Sequence, residues 1–89
     1  MPSSDLKARM YFEQGRRGFA GGTFDNAADH FKRAVQADPQ FEEAHQYLAE
    51  SYEKLGYQTR ARRAWETALR VTKNPSRQDE IRQRLISLK

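Results

Sequence analysis

The sequence predicts an all-α fold of stacked helical hairpins, and three observations carry that prediction. First, five positions recur in kind at a constant spacing of 34 residues: Gly22 with Gly56, Ala27 with Ala61, Phe31 with Trp65, Ala34 with Ala68, and Val35 with Leu69. A fixed period in this range marks a stacked repeat, in which each unit buries its apolar face on a neighbour. Second, Ala27, Phe31 and Ala34 stand at i, i+4 and i+7, which is one side of an α-helix, and Ala61, Trp65 and Ala68 repeat the pattern. The alanines let a neighbouring helix come close while the aromatic between them fills the gap. Third, glycine and proline fall between stretches of helical period, and no stretch shows the strict alternation of a strand.

The chain of 89 residues sets a ceiling of one small domain. It has no cysteine, which excludes a disulfide framework and a thiolate metal site. No apolar run approaches the ~18 residues of a membrane span. The opening segment Met1-Pro-Ser-Ser-Asp-Leu-Lys7 lacks the apolar core of a signal peptide. No membrane insertion and a cytoplasmic setting are the resulting expectations. A formal net charge of +4 favours an acidic partner without identifying one.

Helix one is expected to begin after Ser3 or Ser4, either of which can act as N-cap, with Asp5 in its first turn. It runs through Leu6, Met10, Tyr11 and Phe12 to about Ala20. Gly15 and Gly18 lie inside it, each at a cost of ~1 kcal/mol relative to alanine. Close approach of the next helix would offset that cost, since glycine lacks the Cβ that holds two backbones apart. Gly21 and Gly22 end the helix, and Thr23 can cap a second one from about Phe24 to Ala37. Asp38-Pro39 reads as a stop and a restart, with the proline in the first turn of helix three. That helix carries Glu42 and Glu43 at its start, shows Leu48, Ala49, Tyr52 and Leu55 on its apolar side, and ends at Gly56. Helix four spans about Gln58 to Thr72. Asn74-Pro75-Ser76 breaks the chain again, and Ser76 with Asp79 has the spacing of a capping box. A fifth helix, about 76–88, presents Ile81, Leu85 and Leu88 at i, i+4 and i+7.

These residues resemble those of the tetratricopeptide repeat (TPR) family, whose ~34-residue helix–turn–helix unit sets large, small and proline residues at fixed spacings. In a first unit over about 8–41, Tyr11, Gly15, Gly22, Phe24, Ala27, Phe31, Ala34, Asp38 and Pro39 fit the pattern. In a second over about 42–75, Leu48, Ala49, Tyr52, Gly56, Ala61, Trp65, Ala68 and Leu69 fit. Gln14 stands where the family prefers leucine, His45 where it prefers tryptophan, Gly18 where it prefers an aromatic, and Pro75 comes two residues late. The resemblance implies a right-handed helical-repeat solenoid of two hairpins closed by a C-terminal capping helix. Two units and a cap fall short of the three or more that a stable array generally needs, which leaves self-association into homo-oligomers open.

The resemblance also implies a concave groove lined by the first helix of each hairpin. If Tyr11, Gly15 and Gly18 face the second helix, then Arg9, Phe12, Glu13, Arg16, Phe19 and Ala20 point into that groove. One period on, the same face carries Glu43, Gln46, Tyr47, Glu50, Glu53 and Lys54. Phe12, Arg16 and Phe19 share one side of the helix, and exposed aromatics beside arginine are the residues that dominate interface hot spots. On this reading Phe12 and Phe19 are dispensable for folding. The competing reading packs one or both beneath the N-terminal segment or into the space that Gly18 leaves. The family's two-carboxylate clamp for acidic chaperone tails needs lysine and asparagine, and this face instead shows Phe12 and Arg16, then Tyr47 and Glu50. Arg9 and Arg16 remain able to fork onto a carboxylate.

Arg60, Arg62 and Arg63 on helix four, and Arg77, Arg82 and Arg84 on helix five, form basic clusters without interleaved aromatics. They read as solvated faces and argue against nucleic acid as the partner. His30 and His45 lie on different helices without an ordered set of partners, and no metal motif, phosphate loop or nucleophile elbow is present. The expectation is therefore a non-enzymatic protein-binding adaptor without cofactor or metal. A self-assembling structural module is the alternative, and a basic nucleic-acid-associated domain comes third.

Overall fold

A computed structural model describes residues 3–88 of the chain. Five helices follow in order: α1 Leu6–Ala20, α2 Phe24–Ala37, α3 Glu42–Lys54, α4 Gln58–Val71 and α5 Pro75–Ser87. Each packs against the next in sequence, and α1 also touches α3. No strand occurs among the described residues.

The helix bodies follow the apolar periods, but most caps differ from expectation. Asp5, not Ser3 or Ser4, caps α1, its carboxylate accepting from the Ala8 amide at 2.9 Å. Ser3 instead donates its hydroxyl to the Asp38 carboxylate, tying the start of the chain to the junction between hairpins. Thr23 precedes α2 without capping it, because its hydroxyl donates back to the Gly18 carbonyl at 3.1 Å. Pro39 lies outside α3. The Asp38 carboxylate accepts from the Gln40 amide at 3.1 Å, and the Phe41 amide bonds the Asp38 carbonyl at 3.1 Å. This turn delays the helix to Glu42 and carries Phe41 into the core. At α5 the cap is Asn74, which accepts from the Ser76 and Arg77 amides, with Pro75 as the first helical residue. Ser76 therefore lies inside the helix and forms no capping box.

Both hairpin turns close on a glycine of positive φ, Gly22 at 82° and Gly56 at 78°. L-residues with a Cβ rarely adopt that conformation.

The alanine stripes serve close approach as expected. Ala27, Ala34, Ala61 and Ala68 are fully buried, and so are Ala44 and Ala49 of α3. Gly15 explains itself in the same terms: a Cβ there would lie 2.6 Å from Cε1 of Phe31. At Gly18 the fit is looser, with 3.2 Å to the Thr23 hydroxyl. Around Phe31 the core is aromatic. Phe12 approaches it with 5.7 Å between centroids, and Tyr47 stacks on it at 5.2 Å. Phe41 meets Phe12 at 4.8 Å. Burying each such ring contributes ~1.5–3 kcal/mol. Ile81 of α5 is buried, with Leu85 and Leu88 packed beside the core, as their spacing predicted.

His45 occupies the core position where the family prefers tryptophan. Its ring is buried, with Nε2 donating to the Pro39 carbonyl at 2.8 Å. Burial holds its pKa below the usual histidine value, against the opposing pull of that hydrogen bond and of Asp38.

Candidate functional site

The face shared by α1 and α3 brings together most of the residues that the sequence singled out, though not in the form expected. Phe12 is the main correction. It is 7% exposed and lies among Phe31, Phe41 and Tyr47, so it belongs to the core and is not half of an exposed aromatic pair. The reason lies in α3. Phe41, at the N-cap of α3, and Tyr47 within α3 close over Phe12, a contact that the period of α1 alone cannot show.

Phe19 is half-buried and sits between two rings. It meets Phe24 at 5.2 Å and Tyr47 at 5.4 Å, both edge-on. Tyr47, half-buried itself, thus bridges Phe12, Phe19 and Phe31. Around this aromatic ridge Arg9, Glu13, Arg16, Ala20 and Lys54 are exposed. Glu13 and Arg16 approach to 3.4 Å, an exposed pair worth ~0–1 kcal/mol. Lys54 lies over the Phe24 ring at 6.0 Å.

Two depressions flank the ridge. The larger, ≈ 690 Å³, runs along the outer edge of α1 and is lined by Leu6, Arg9, Met10, Phe12 and Arg16, with Phe41 and Glu43 of the second hairpin at its rim. The smaller, ≈ 320 Å³, lies between Phe19 and the end of α3, where Glu50, Glu53 and Lys54 meet Arg84 of α5.

Arg84 went unassigned in the sequence beyond its place in a basic cluster. It reaches from α5 to Glu53 at 3.1 Å and Glu50 at 3.7 Å, and its guanidinium lies 5.3 Å from the centre of the Trp65 ring. Trp65 in turn donates its indole N–H to Glu53. Arg77, one end of the same helix, donates to the Gln46 side-chain oxygen at 2.9 Å. Partial burial raises the Glu50 pKa above the ordinary glutamate value, and Arg84 pulls it back. The only hint in the sequence was that Arg84 sits next to Leu85 and three residues from Ile81, on the margin of the buried stripe. The α3 end of the face is thus neutralised from within, whereas Arg9 at the α1 end makes no ion pair among the described residues.

The first four of the five helices pair into two hairpins in succession, and the tetratricopeptide repeat family model matches residues 19–85. The chain belongs to the tetratricopeptide repeat family. No curated protein matches it. Tetratricopeptide repeats generally mediate protein–protein interaction and are typically non-catalytic. No described helix is long and apolar enough to cross a membrane.

Proposed function

We propose that this tetratricopeptide repeat domain is a non-catalytic adaptor that holds a peptide or helix of a partner protein against the α1/α3 face. The observation that carries the reading is the half-buried Phe19–Tyr47 edge-on pair, with Phe19 lining the ≈ 320 Å³ depression beside Lys54. Aromatic rings in a partly enclosed site with a cation at the margin have the composition of a binding hot spot. Both rings are already held by the core, so little side-chain freedom is left to lose on binding. Phe12 supports them from below, and Gln46 and Glu50, held by Arg77 and Arg84, line the α3 side. A partner segment crossing the ridge would meet the free cation of Arg9 at one end and the Arg84-bound carboxylates at the other.

The test is selection of binders from a random peptide library, followed by calorimetry on the wild type and on Phe19→Ala, Arg16→Glu and Lys54→Glu. Each variant is expected to weaken the selected peptides by roughly tenfold or more, equivalent to ~1.4 kcal/mol, while circular dichroism keeps its helical amplitude. Peptides that bind all four proteins alike would rule out this face.

A further inference from the structure

We propose a second docking surface, bordering the α1/α3 face along Arg9 and Arg16 but centred on Leu6 and Met10: the outer edge of α1, fitted to an acidic amphipathic helix. The internal repeat supplies a reference for what that edge lacks. Moving 34 residues along the chain carries Met10, Gln14 and Arg17 of α1 onto Ala44, Leu48 and Ser51 of α3. The α3 residues are buried, because that helix has neighbours on both sides in α2 and α4. The α1 residues are exposed, and among the described residues no helix covers them. On this uncovered side Leu6 is 64% and Met10 57% exposed, one turn apart, at the border of the ≈ 690 Å³ depression. The shape of the vacancy is therefore that of a helix, since helices occupy the equivalent sides of α3.

Charge selects the occupant. Arg9 and Arg17 line the same depression as Leu6 and Met10, and neither is in an ion pair among the described residues. Of the two acids that line the depression, Glu13 is engaged by Arg16, which leaves Glu43 as the one carboxylate facing Arg9 and Arg17. A helix with one or two apolar residues facing Leu6 and Met10, and carboxylates on its flanks, would neutralise both free cations. A second copy of this chain brings a further net charge of +4 to the same surface and is opposed by it.

Fluorescence anisotropy tests this with a labelled model helix, leucine on one face and glutamate elsewhere. Two controls accompany it: a scrambled peptide of the same composition, and a version with lysine for glutamate. The model helix is expected to bind at least roughly tenfold more tightly than either control, with affinity falling as salt rises. Met10→Glu and Arg17→Glu, both at exposed positions, should each weaken it by about tenfold or more with unchanged thermal melting. Phe19→Ala and Lys54→Glu should leave it unaffected, which separates this surface from the α1/α3 face. Equal binding of the scrambled peptide would reduce the effect to bulk charge and overturn the proposal. Sensitivity to Lys54→Glu instead of Met10→Glu would move the helix to the other face and overturn it equally. Sedimentation showing a wild-type dimer that Met10→Glu dissociates would make a second copy the occupant.

Discussion

In the first hairpin the ring of Phe31 faces Phe12 and Tyr47, whereas 34 residues on the ring of Trp65 lies beneath Arg84 and donates to Glu53. The frame around the two rings is the same, with fully buried Ala27 and Ala34 on one side and Ala61 and Ala68 on the other. The helix opposite differs. Gly15 admits Phe31 where a Cβ would collide, while its counterpart Ala49 keeps its Cβ, fully buried, in the hairpin of Trp65. One alanine scaffold thus accepts either a dry aromatic cluster or a ring anchored by a polar network. The choice is made by residues outside the repeated positions.

Substitutions that act on one side only can sharpen that contrast. Phe12→Ala removes a ring in contact with three others and should cost ~3–5 kcal/mol, enough to unfold much of so small a domain. Urea denaturation measures it; a loss below ~1 kcal/mol would return Phe12 to the surface and erase the distinction between the two clusters. Next comes Gly15→Ala. The better helix propensity of alanine is worth up to ~1 kcal/mol, but forcing a Cβ to 2.6 Å from Phe31 should outweigh it, for a net loss of ~1–2 kcal/mol. A stabilised variant would mean that Phe31 is free to retreat.

The third test uses pH. Burial depresses the His45 pKa, so the unfolded chain takes up this proton more readily than the folded one. The stabilising contribution is complete above the unfolded value of 6.5 and is lost as pH falls through the lower folded value. Urea midpoints should decline across that range in the wild type, and His45→Gln should remove that part of the slope; parallel curves would argue against a buried neutral imidazole. The smallest effect is expected at Arg84→Gln, ~0.5–1 kcal/mol for a partly exposed ion pair, diminishing in high salt. A loss as large as that of Phe12→Ala would show that the second hairpin depends on its polar anchor as heavily as the first depends on its rings.

The helices themselves were legible, because apolar period and glycine or proline punctuation are local properties of the chain. Caps were less so. Ser3, Thr23 and Ser76 all have cap chemistry, but the structure gives Ser3 and Thr23 other partners, Asp38 and the Gly18 carbonyl, and places Ser76 inside α5. Several side chains compete for each helix start, and tertiary contacts decide among them. On the candidate face, the positions of Arg9, Arg16 and Lys54 followed from helical geometry. The burial of Phe12 and the reach of Arg84 did not, since each depends on a residue about 30 positions away, Phe12 on Phe41 and Arg84 on Glu53. Gly15 lies between these cases: its need for space was readable, while the ring that fills the space was not.

Trp65 is the single tryptophan of the chain. Its indole sits where α5 reaches back to α3, against a guanidinium and a carboxylate. Its fluorescence is therefore a built-in optical reporter for the seating of the last helix, largely blind to the phenylalanines of the first hairpin. If emission shifts at lower denaturant than the far-ultraviolet dichroism falls, the terminal helix peels away before the rest gives way.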